Sequence, residues 1–175
     1  DAWYGKGKYP WVSNWVHSGL PKYPEKAKNV MAAYNACITE MDDMVGRVIQ
    51  ALKDNGLYEN TVIIYTTDHG EHLFEHGLRG KHCMYEDAVN VPFIVSYPKA
   101  FPTNRTNNSQ VSLIDIYPTF CEMAGADIPE EVEGISILEA LTDGKEITDR
   151  LIYSEYRGGD YKMFPGIKNL PSRMV

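Results

Sequence analysis

Between Val30 and Leu52 the apolar residues Val30, Tyr34, Cys37, Ile38, Met41, Met44, Val45, Val48, Ile49 and Leu52 fall at steps of three and four, the stripe of a helix that faces a core. No other feature restricts the fold as much. Pro24 suits the first turn of such a helix and Asn55-Gly56 its end. A helix of about 31 residues is a rod of roughly 46 Å, long enough to flank an entire sheet. Asp42 and Asp43 are neighbours in sequence, so they cannot share one face and read as solvent-exposed carboxylates.

Beyond the stripe the chain reads as sheet. TVIIYTT, residues 61–67, is a continuous β-branched and apolar run, which predicts a strand buried on both faces. VPFIVSY, 91–97, is a second strand, with its proline near the start where a missing donor is tolerated. Residues 111–125, VSLIDIYPTFCEMAG, read as helix in pieces, with Ser112 as a cap and Pro118 opening a second turn or kinking the first. RLIYSEY, from Arg150, is a third strand candidate. Helix, strand, loop, strand, helix, strand is the order of an α/β sheet with parallel members. Residues 1–24 are rich in Trp, Tyr, Gly and Pro without a period. Trp3, Trp11 and Trp15 there read as packing, with a carbohydrate-stacking platform as the alternative.

A chain of 175 residues with 43% hydrophobic and 23% charged residues can bury a core, and a formal charge of −7 with scattered Lys and Arg repels polyanions. Nucleic acid and an anionic membrane surface are therefore not expected as partners, and no apolar run approaches a bilayer span. Asp1 in place of a Met and the abrupt end at SRMV create the expectation of a piece of something longer. The compartment stays open between a bacterial-type cytoplasm and periplasm. Cys37, Cys83 and Cys121 form no CxxC pair, so neither a disulfide framework nor a zinc ribbon is expected; Cys37 and Cys121 read as small packed hydrophobes.

The chemistry lies in YTTDHGEHLFEHGLRGKHCMYED, from Tyr65 to Asp87. In open α/β sheets ligands bind beyond the carboxyl ends of the strands, where Asp68 and His69 stand. Gly70 is expected to turn the chain sharply away and present the pair to the crevice. Carboxylate oxygen and neutral imidazole nitrogen suit a divalent cation, although a triplet of this kind is also compatible with a plain turn, and two ligands do not complete a site. His69, His72 and His76 invite a zinc reading, which Gly70 and the lack of a fourth ligand at zinc spacing weaken. Glu71 and His76 are expected instead to hydrogen-bond the metal ligands and orient them. Lys81 returns toward the same crevice, where an ammonium can hold a tetrahedral anion, although a lone loop lysine is most often solvated surface.

The run GLYENTVIIYTTDHGEHLFEHGLRGKHCMYEDAVNVPFIVSYP resembles the sulfatases of the alkaline phosphatase superfamily. In that family a strand ends in Asp-His or Asp-Asn, a GEHG turn comes next, then a GK, then YEEAVRVPLIV. ITEMDDMVGRVIQALKDNGL resembles the family's helix before that strand, and the similarity is strongest over about residues 25 to 125. The resemblance implies a partial alkaline-phosphatase-like sandwich of the α/β class, with a mostly parallel sheet flanked by helices. It implies a calcium-dependent hydrolase of small-molecule sulfate esters, with Mg2+, Mn2+ or Zn2+ as alternative ions. Asp68 and His69 match metal ligands, and Lys81 matches a sulfate-binding lysine that also offsets charge on the leaving oxygen.

In the family a Cys or Ser in a C/S-x-P-x-R motif becomes formylglycine, the nucleophile. No cysteine here is followed by the required Pro and Arg, and NLPSR, 169–173, has Asn at the nucleophile position. Residues 1–175 are thus expected to be one fragment of a sulfatase-like catalytic domain, with the nucleophile and its formylglycine in the missing part and the fragment alone inactive. A sheet lacking strands would expose an edge through which copies could oligomerise. Where many sulfatases have Asn, this chain has His69, as in relatives acting on choline sulfate or on phosphonate and phosphate esters. The alternatives are a phosphodiester or phosphonate ester hydrolase of the same superfamily, and a non-catalytic metal-binding module.

Overall fold

The structure, a computed structural model, describes residues 24–77, 80–81, 84–157 and 171–175. Trp3, Trp11, Trp15 and Cys83 lie outside the described residues. The first helix, α1, spans Pro24–Asp54, the extent that the stripe and its flanking residues predict. Glu25 in its first turn and Lys53 in its last complement the helix dipole. Gly56, at φ +66, closes the end with its N–H on the carbonyl of Lys53 at 3.0 Å.

The expectation that the stripe faces a core is met only in part among the described residues. Val30, Val45, Ile49 and Leu52 are half-buried, while Tyr34, Cys37, Ile38, Met41, Met44 and Val48 are exposed, Val48 at 62%. Periodicity decides which side chains share a face; burial needs an opposing surface, which periodicity cannot supply.

The chain divides into two compact units. One joins α1 as far as Leu52 with His69–Val91 and Glu155–Arg173; the other joins Lys53–Asp68 with Pro92–Ser154 and Met174–Val175. In the second unit β1, Ile63–Thr66, pairs with β2, Phe93–Ser96, in the register Ile63 to Ser96 and Thr66 to Phe93. The pairing is antiparallel, a correction to the parallel members that the order of elements suggests. A parallel return requires a crossover, usually a full helix, and among the described residues the only α-helix between the two strands is α2, Glu86–Val89. The four residues of β1 are half-buried rather than buried on both faces, and among the described residues its ladder has one partner. β3, Ser154–Arg157, and β4, Pro171–Met174, form a second two-stranded ladder.

The centre of the second unit is built on Asp115. A 3-10 turn at Leu113–Asp115 runs into α3, Ile116–Ala124, and Ser112 caps it through a reciprocal pair with Asp115, as its sequence position predicts. Pro118 sits in the first turn of α3, where its missing N–H would have had no partner, and is fully buried with Thr119. Thr119 Oγ1 donates to the Asp115 carbonyl at 2.6 Å and accepts the N–H of Ile137 at 3.1 Å, just before α4, Leu138–Thr142. Gly134 passes so close to the 3-10 turn before α3 that a Cβ there would stand 2.2 Å from the Ile114 carbonyl oxygen. Phe101, Cys121, Ile137 and Ala140 complete this core.

Candidate functional site

β1 delivers the chain to Thr67 and Asp68 at its carboxyl end. Thr67 Oγ1 donates to Asp68 Oδ1 at 3.3 Å, and the carboxylate is exposed. His69 comes next, half-buried, with Nδ1 2.8 Å from the Gly70 carbonyl oxygen. A carbonyl only accepts, so Nδ1 carries the proton and Nε2 presents the lone pair. Lys81 Nζ donates to that Nε2. The lysine lies twelve residues downstream and exposed, and the loop brings it back to the histidine.

Gly70 serves a different purpose from the one expected of it. Its backbone is not left-handed; instead a Cβ there would stand 1.9 Å from the Asp87 carbonyl oxygen, and its N–H donates to Ala88 O at 2.8 Å. Glycine is required because the segment from His69 lies against the backbone of α2.

The next turn is tightly bound and strained. Leu73, Phe74 and His76 adopt φ of 42°, 81° and 52°, a region that L side chains seldom enter. Glu71 Oε1 accepts the N–H of Leu73 at 3.2 Å and of Gly80 at 2.7 Å, and the His72 N–H donates to the Gly80 carbonyl at 3.0 Å. His72 is 1% exposed, edge-on to Tyr85 at 6.0 Å, with Nδ1 3.6 Å from Asp87 Oδ2. His76 stacks on the same tyrosine at 4.1 Å and places Nε2 3.7 Å from the same carboxylate oxygen.

The three histidines of the zinc reading thus divide, His69 meeting Lys81 while His72 and His76 converge on Asp87. Among the described residues no group of three or more His, Cys, Asp or Glu is arranged to hold a metal. Asp68 offers a carboxylate and His69 an imidazole nitrogen, donor types that suit a divalent cation; the bond at Nδ1 fixes the ring, and Lys81 Nζ takes the Nε2 lone pair that a cation would need. Tyr85 and Asp87, which organise the turn, were not legible as such. The one signal was their place in the polar run before VPFIVSY.

A family model described as Sulfatase matches residues 11–126. The chain is 38% identical over 134 residues to arylsulfatase K of Bos taurus, covering 76% of this chain and 25% of that protein. It is 35% identical over 125 residues to N-acetylglucosamine-6-O-sulfatase of Bacteroides thetaiotaomicron, covering 71% of this chain and 22% of that one. Phosphonate monoester hydrolase from Silicibacter pomeroyi superimposes with a TM-score of 0.69 at 33% identity, over 77% of this chain and 27% of that chain. The chain spans about a quarter of the length of the curated relatives it matches.

Proposed function

The chain belongs to the sulfatase family, with the alkaline-phosphatase-like α/β fold, and from that premise we propose that the full-length protein hydrolyses a small-molecule sulfate ester. Residues 1–175 would be one part of a single catalytic domain. The observation that carries this reading is the meeting of Lys81 with His69 Nε2, directly after Asp68, which gathers a cation, an imidazole lone pair and a carboxylate in one short stretch of chain. Family membership implies a metal. Calcium is our choice: Asp68 Oδ would hold it, and His69 Nε2 would join once calcium takes the place of Lys81 Nζ on that lone pair, with ligands from outside this chain; bound there, it would polarise the sulfate oxygens.

Within the chain, Lys81 would hold a sulfate oxygen and offset the charge that develops on the leaving oxygen. The His69 Nδ1 bond to Gly70 keeps the ring in one tautomer and one orientation. The nucleophile, a formylglycine by family resemblance, belongs to the part of the protein outside these residues, since no C/S-x-P-x-R sequence occurs here. The second reading, a phosphonate or phosphate ester hydrolase, is favoured by the likeness to the Silicibacter pomeroyi enzyme. Rates of the full-length protein on 4-nitrophenyl sulfate and on a phenylphosphonate monoester decide between them. A higher kcat/KM for the sulfate, lost in Lys81→Ala, supports the proposal; preference for the phosphonate overturns it. Calcium binding without turnover of either would leave the non-catalytic module.

A further inference from the structure

We propose that Glu71 is the positioning residue of the anion-binding lysine: its carboxylate grips the Gly80 peptide and thereby aims Lys81. The proposal rests on the reading of Lys81 as a sulfate-holding group. The sequence leads one to expect Glu71 to hydrogen-bond the metal ligands and orient them, yet the hydrogen bonds of Oε1 go to Gly80 at 2.7 Å and Leu73 at 3.2 Å.

Gly80 is the residue before Lys81 and sits at φ +84 with nothing within 4 Å of where a Cβ would be. A left-handed glycine in open space is the least restrained point a backbone can have. Here both ends of the residue are held: Glu71 takes its N–H, and the His72 N–H takes its carbonyl at 3.0 Å. That carbonyl belongs to the peptide bond leading into Lys81. The grip therefore sets the direction in which the flexible four-carbon stem of the lysine leaves the backbone. The bonds to Glu71 are charge-assisted, and the Leu73 amide ties the same oxygen to the first of the left-handed residues in the turn. Loss of the carboxylate would release Gly80 and Leu73 together.

The test is made on the full-length protein, with inorganic sulfate and calcium titrated separately by calorimetry. Glu71→Ala is expected to weaken sulfate binding by about 10- to 100-fold, the usual effect of removing a group that orients a ligand-binding residue. Calcium affinity should not fall, because releasing Lys81 leaves the Nε2 lone pair of His69 free, whereas general damage to the fold would lower it. The double variant with Lys81→Ala should bind sulfate no worse than Lys81→Ala alone, and Glu71→Gln, which keeps an acceptor oxygen facing Gly80, should recover most of the loss. Should Glu71→Ala fail to fold, Glu71→Asp replaces it: the shorter side chain withdraws the oxygen, so sulfate binding must fall below that of Glu71→Gln. Multiplying losses in the double variant, wild-type sulfate binding in Glu71→Ala, or a parallel fall in calcium affinity overturns the proposal alone. Wild-type sulfate binding in Lys81→Ala, or none in the parent protein, overturns the sulfatase reading of Lys81 and this inference with it.

Discussion

Arg150 meets both carboxylate oxygens of Asp115, Nη1 to Oδ2 at 2.6 Å and Nη2 to Oδ1 at 2.7 Å, across 35 residues of sequence. The same carboxylate, 0% exposed, accepts the N–H of Ser112 at 2.7 Å and of Ile135 at 3.0 Å. Four donors therefore satisfy one buried charge, and they come from the cap of the 3-10 turn before α3, the loop before α4 and the segment before β3.

Removal of the guanidinium would leave that charge unpaired. Arg150→Met is expected to destabilise the protein by about 3–5 kcal/mol, and the double variant with Asp115→Asn by less, because the second change removes the stranded charge. Urea denaturation midpoints measure both. A single variant within about 1 kcal/mol of the parent would mean the pair is worth no more than a surface ion pair.

Burial pushes the Asp115 carboxyl up, but the bonds from Arg150, then those from the Ser112 and Ile135 amides, outweigh it and hold the group below the usual carboxylate range. A folded pKa lower than the unfolded one contributes stability that is complete above the unfolded value, near pH 4, and is lost as the pH falls through the folded value. Thermal midpoints should therefore drop below about pH 4, and drop less steeply in Asp115→Asn. Equal slopes in the two proteins would show that Asp115 does not drive the acid transition.

Gly70 and Gly80 make a matched comparison. Gly70→Ala drives a Cβ to 1.9 Å from the Asp87 carbonyl, a contact between two backbones that no side-chain rotation relieves. We expect it to lower stability by about 1–3 kcal/mol, as overpacking does, and to weaken calcium binding by displacing His69. Gly80→Ala meets nothing within 4 Å, so only its left-handed φ opposes it, at about 1–2 kcal/mol. Calorimetric melting of both variants, with calcium titration of each, gives the comparison; equal calcium affinities would separate Gly70 from the metal site.

The 175-residue chain alone should bind calcium no tighter than about the millimolar range of ligand-poor sites, because Asp68 and His69 supply two of the six to eight oxygens or nitrogens that calcium takes. Isothermal titration of the isolated chain measures this. A micromolar site lost in Asp68→Ala would mean that the chain carries a complete ligand set.

The elements are local properties, and these were legible. The bounds of α1, the strand cores of TVIIYTT and VPFIVSY and the Ser112 cap all derive from spacing and from residue types within a few positions of one another. So does the choice of Asp68, His69 and Lys81, since a carboxylate and an imidazole after a strand and a lysine in the next loop are a pattern of types, not of contacts.

Tertiary structure alone decided the rest. That β1 and β2 run antiparallel depends on how the chain between them reverses, and that much of the stripe of α1 is exposed depends on what lies opposite; neither is written in periodicity. Glu71 and Gly80 are nine residues apart, and Asp115 and Arg150 thirty-five. A hydrogen bond requires its partners within about 3 Å, and over such separations the sequence names the donors and acceptors while only the folded path of the backbone brings a given pair together.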